Sequence, residues 1–131
     1  MQKVSVNPWF WSKPLGYDQG VLVTSATRQL ICAGQTSVDA EGVPQHPGDM
    51  RAQLGLALDN LEAVLAAGGM GLANLVRLGV FATDVEALLP QMEVLGRRLG
   101  AAGVAPAMTL VGVTRLALPP LMVELEAVAM G

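Results

Sequence analysis

A chain of 131 residues can enclose one domain with a sizeable core. Charged residues make up 15% of it, against an ordinary share of about 25%, too few to solvate the whole surface of a lone subunit. Eight Lys and Arg against eleven Asp and Glu, clustered nowhere beyond Arg97-Arg98, supply no cationic groove for nucleic acid. The uncharged run from Leu99 to Thr114 contains Pro106 and three glycines and is too short to span a bilayer. Cys32 is the only cysteine, which excludes an internal disulfide and a thiolate metal cluster. The start, "MQKVSVNPWFW", lacks a secretory apolar core. The expectation is a cytoplasmic oligomer with no membrane span.

Residues 3–6 read as a short first strand, ended by "NPWFW" and Pro14. Two β-rich runs, 20–25 and 29–34, flank a polar turn at Ser25–Arg28 and predict a hairpin. "DAEGVPQHPGD" is turn chemistry, and Asp49 is a good cap for a helix. In that helix Met50, Leu54, Leu58, Leu61 and Leu65 share a face, and Gly68-Gly69 ends it. "NLVRLGVFATD" follows as a strand, with Leu75, Arg77, Gly79 and Phe81 on one side and Val76, Leu78, Val80 and Ala82 on the other. Asp84 caps a short helical turn, Pro90 suits the first position of a second helix running to about Gly100, and strands at 107–116 and 121–129 finish the chain.

The order β-β-β-α-β-α-β-β describes a two-layer α+β domain, residues 1–131, with one sheet covered by two helices on a single face. In the last strand, Val123, Leu125, Ala127 and Ala129 alternate with Glu124 and Glu126. The apolar row packs under the helices. The two acids therefore point away from them, toward water, a ligand or a neighbouring subunit.

Few catalytic sets are available. His46 is the only histidine and sits in a Pro/Gly loop, and no phosphate-binding glycine pattern or metal-ligand spacing occurs. Cys32, on an apolar strand with no cation adjoining it in sequence, reads as a small buried hydrophobe. For Glu124 and Glu126 two readings stand: an ion pair with Arg77 on the inner sheet face, or acid–base chemistry by Glu124. Trp9 and Trp11 read as packing of the amino-terminal arm or as a closure over a ligand cleft.

The segments "CAGQTSVDAEG", "ALDNLEAVLAAGGMGLANLVRLGVFATD" and "PAMTLVGVTRL", with the final "ELEAVA", resemble in order and spacing the reactive-intermediate deaminase family, Rid or YjgF-like, often labelled endoribonuclease L-PSP. That resemblance spans nearly the whole chain. It implies a chorismate-mutase-like subunit in a homotrimer, sheets inward and helices outward, with a cleft at each subunit boundary. It also implies cofactor-free, metal-free hydrolysis of imines and enamines, in which an arginine holds the substrate carboxylate and an acid assists water.

Residue by residue, Tyr17 stands where the family has a pocket tyrosine, Gly34 where a backbone amide meets ligand, and Glu124 where the last strand carries its carboxylate. Ala33 replaces the family serine, Met92 an asparagine and Leu110 a cysteine, while Met108 replaces the arginine of the "P-A-R" signature. Arginine grips a carboxylate through paired charge-assisted bonds of roughly 1.5–3 kcal/mol each. Losing one costs on the order of 10- to 100-fold in affinity. With methionine there, 2-imino-carboxylates are disfavoured, and a less charged or more apolar ligand is expected. A non-catalytic ligand-binding trimer is the alternative, and ribonuclease activity is disfavoured by the acidic charge.

Overall fold

The computed structural model describes residues 1–131. The strands are β1 (Gln2–Val6), β2 (Gly20–Thr24), β3 (Gln29–Thr36), β4 (Leu75–Ala82), β5 (Ala107–Gly112) and β6 (Val123–Met130). The helices are α1 (Met50–Ala67), α2 (Val85–Leu88) and α3 (Glu93–Ala101). Strands β3, β6, β4 and β5 form a mixed sheet in that order. β4 and β5 run parallel, as a crossover through α2 and α3 requires, and the other two pairings are antiparallel.

Helix α1 begins where the Asp49 side chain accepts from the Ala52 amide at 3.0 Å. It stops where Gly69 takes φ +72° and the Met70 amide returns to the Leu65 carbonyl. Its Leu54, Leu58, Leu61 and Leu65 are fully buried against Leu78 and Val80 of β4 and Leu125 of β6 in one apolar cluster. Arg98 of α3 clamps the helices together by reaching Glu62 and, at 2.7 Å, Asp59 of α1. Buried Gln53 donates to the carbonyls of His46 and Pro120 and accepts from the Met122 amide, fixing the loop that leads into β6.

The face not covered by helices is apolar in part. Ile31, paired with Val128, is 74% exposed, and Val111 is 39% exposed.

The structure corrects several expectations. The runs 20–25 and 29–34 are not a hairpin: β2 pairs with β1 in a separate two-stranded ribbon, and β3 pairs with β6. The turn between the two runs bonds instead to the carboxyl end of the chain, where the Thr27 and Arg28 amides both donate to the Gly131 carbonyl. The expectation of one sheet is corrected likewise. Leu75 belongs to the core rather than to the row of Arg77, because an irregularity between them shifts the pairing of β4 with β6. Pro90 lies in a 3-10 turn, Leu89–Gln91, and α3 starts only at Glu93. β5 ends at Gly112 rather than at 116, since its parallel partner β4 ends opposite it at Ala82. No helix is long and apolar enough to cross a membrane.

Candidate functional site

Sheet register decides which of the singled-out residues share a surface. Met108 and Leu110 of β5 pair with Leu78 and Val80, so they stand on the helix-covered side. Met92, just before α3, joins them, and Leu15, Tyr17 and Leu89 complete a cavity of about 400 Å³ lined by no charged residue. Tyr17 meets Trp11 edge-on, ring centroids 6.1 Å apart. Trp9 and Trp11 nevertheless remain 62% and 60% exposed and line none of that cavity.

The segment that presents Tyr17 is held by Asp18, which is 4% exposed. Its carboxylate accepts from Ser5 Oγ at 2.5 Å, Asn7 Nδ2 at 2.7 Å and Lys13 Nζ at 3.1 Å. Burial opposes the ionised form, and the three hydrogen bonds together with the Lys13 charge outweigh it, so the Asp18 pKa falls below its ordinary value. Asp18 thereby ties the β1–β2 ribbon to the 3-10 turn Lys13–Leu15 beside the cavity.

Glu124 lies on the opposite side of the sheet. It pairs with Phe81 of β4 and Thr36 of β3, and Glu126 pairs with Gly79. Two glycines make room for the two acids. A Cβ on Gly34 would fall 1.8 Å from Glu124 Oε1, and one on Gly79 would fall 2.9 Å from Glu126 Cγ. Gly34 and Ala33 occupy the irregularity in β3 between Cys32 and Gln35, where the ladder to β6 is interrupted. Gly34, Phe81, Val113, Arg115, Glu124 and Glu126 line a shallow cavity of about 330 Å³.

The expected pairing of Arg77 with these acids does not form. Its guanidinium donates to the Leu78 carbonyl at 3.0 Å, and none of the five ion pairs involves Arg77, Glu124 or Glu126. Arg115 shares the cavity instead, its Nε and Nη2 donating to the carbonyls of Leu116 and Ala117 at 3.2 and 3.3 Å. Cys32 is buried as expected, and burial pushes its thiol pKa up. His46 is exposed in its loop, and no group of three or more His, Cys, Asp or Glu could hold a metal.

The residues singled out from the sequence therefore divide in two. Tyr17, Met92, Met108 and Leu110 share one cavity, whereas Gly34 and Glu124 share another on the far side of the sheet. Leu15 and Leu89, in 3-10 turns, were not singled out from the sequence and Phe81 only as a member of its strand face, since packing between distant segments brings all three to these cavities.

Residues 13–131 match the family model described as endoribonuclease L-PSP. Protein DfrA of Myxococcus xanthus is 36% identical over 113 residues, 86% of this chain and 83% of that protein. Among solved structures, YyfB of Yersinia pestis, described as a protein of unknown function of the conserved Rid family, superposes with a TM-score of 0.85 at 32% identity, covering 100% of both chains. Escherichia coli TdcF, solved with bound serine, gives 0.71 at 26% identity, covering 88% of this chain and 87% of that one.

Proposed function

The chain belongs to the endoribonuclease L-PSP family, whose members also carry the Rid and YjgF names, and from that premise we propose a cytoplasmic trimer of this 131-residue domain that hydrolyses a reactive imine or enamine between its subunits. The reaction adds water to the C=N carbon and releases ammonia, leaving a carbonyl compound. It needs no cofactor or metal. The observation that carries this reading is the division of the candidate residues. One chain holds Tyr17, Met92, Met108 and Leu110 on one side of its sheet and Glu124 with Gly34 on the other, so a complete cleft requires a second copy.

The uncovered sheet face, with Ile31 74% and Val111 39% exposed, is the surface on which neighbouring copies of a chorismate-mutase-like assembly close. At the resulting boundary one subunit's apolar cavity faces its neighbour's Glu124. Glu124 passes the proton or holds the attacking water, and the Gly34 backbone and Tyr17 orient the ligand. Ala33, Met92, Leu110 and Met108 shape specificity, Met108 by replacing the family's carboxylate-binding arginine. The serine held by TdcF is a small molecule of the size such a cleft accommodates.

The test is kinetic. Imines generated enzymatically, both charged and uncharged, should decay faster with the protein present, and Glu124→Gln should slow that decay while light scattering still reports a trimer. Met108 favours a second reading, a trimer that binds its ligand without turnover. No acceleration across the panel would establish it. Met108→Arg is expected to raise activity on 2-iminopropionate. A net charge of −3 with no cluster of cations argues against RNA cleavage, which incubation of repurified protein with single-stranded RNA would detect.

A further inference from the structure

The cavity around Glu124 also holds Arg115, of the "VTRL" stretch, to which the proposed function assigns no part. Arg115 lies in the segment between β5 and β6 and lines the same cavity as Glu124, Glu126 and Phe81. Two of its guanidinium nitrogens are tied to the Leu116 and Ala117 carbonyls, which orients the planar group, while Nη1 makes no hydrogen bond within the chain. Neither acid compensates it, for none of the chain's ion pairs includes Arg115, Glu124 or Glu126. One lining therefore holds two carboxylates and a partly pre-oriented cation, all without ionic partners.

Covering such a face in an assembly desolvates those charges, a cost that ionic pairing and hydrogen bonds offset. Water could satisfy them in an open subunit. In a closed cleft, a molecule that is cationic at one end and anionic at the other satisfies both signs together. The second cavity, built from Leu15, Tyr17, Leu89, Met92, Met108 and Leu110, holds no charge and suits an aliphatic or aromatic substituent.

We propose that Arg115 anchors the carboxylate of a zwitterionic, amino-acid-like ligand whose nitrogen faces Glu124 and Glu126 and whose apolar side chain enters the Met108 cavity. The ligand would thus lie head to the glutamates and tail to the methionines, with its carboxylate nowhere near position 108. The assignment deepens the proposed function and rests on its intersubunit cleft. Arginine suits the role because its planar donors meet a carboxylate through two parallel bonds.

Calorimetric titration of L-leucine and of its decarboxylated counterpart, 3-methylbutylamine, tests it on the full chain. Wild-type protein should bind leucine more tightly than the amine. Arg115→Gln should weaken leucine about tenfold, the loss of one charge-assisted contact, and leave the amine within about twofold. Arg115→Lys should fall between them, because it keeps the charge and loses the fork. Circular dichroism and light scattering verify that each variant is folded and assembled. Equal binding of the two ligands by the wild type, no leucine binding, or an equal effect of Arg115→Gln on both ligands overturns the assignment. A monomer, or imine hydrolysis unaffected by Glu124→Gln, would instead overturn the proposed function.

Discussion

Replacing Gly34 by alanine adds one methyl group at the point where β3 passes the carboxylate of Glu124. That methyl would lie 1.8 Å from Oε1, 2.7 Å from Cδ and 3.0 Å from Cγ, where real contacts essentially never fall below 3.0 Å. Oε1 must therefore retreat by about 1.2 Å merely to reach that floor. The obstructing atoms are the far end of a flexible side chain on a partly open surface, so the carboxylate can swing aside. Forcing it off its preferred rotamer costs about 0.5–1.5 kcal/mol, a loss of a few degrees in melting temperature. Function should suffer more. A displacement of that size at a reacting group lowers rate by on the order of 100-fold. The assay sets thermal unfolding beside imine decay or ligand titration for Gly34→Ala and Glu124→Gln. The two variants should lose activity to a similar degree while Gly34→Ala stays folded and assembled. Full activity in Gly34→Ala would refute the placement of Glu124 in the chemistry. Global unfolding would refute the local character of the clash.

Gln53→Leu should destabilise the chain by about 2–4 kcal/mol in urea titrations, because three backbone groups that the buried amide satisfies lose their partner. Leu58→Ala, at a fully buried core position, should cost about 2–5 kcal/mol, with the cavity setting where in that range it falls. Asp18, whose pKa is lowered in the folded chain, contributes stability that is fully present above the ordinary aspartate range and lost as pH falls through the folded value. Below about pH 4 the wild type should therefore lose stability more steeply than Asp18→Asn in melts taken across that range, and parallel curves would show that Asp18 contributes no acid sensitivity.

Local pattern was enough to identify α1, since Asp49, the leucines at helical spacing and Gly68-Gly69 are neighbours along the chain and act within it. The alternation of β6 was likewise legible: Val123, Leu125, Ala127 and Ala129 are buried, and Glu124 and Glu126 point away. Ordered motifs along the chain carried the family resemblance by themselves, and residues 13–131 match that family. Pairing between distant strands was a different matter. β2 joins β1 and β3 joins β6, and the turn at Ser25–Arg28 bonds to the Gly131 carbonyl over a hundred residues away, partners that no local signal reports.

The same limit governs the candidate site. The family resemblance singled out Tyr17, Gly34 and Met108, while strand alternation by itself turned Glu124 away from the helices. Only tertiary structure decided that Glu124 and Met108 lie on opposite sides of one sheet, that Arg77 leaves the acids unpaired, and that Arg115 shares their cavity. The reason is register. A strand's own pattern tells which residues share a face, while the bulges and partner strands that choose what stands opposite arise from contacts spread across the whole chain.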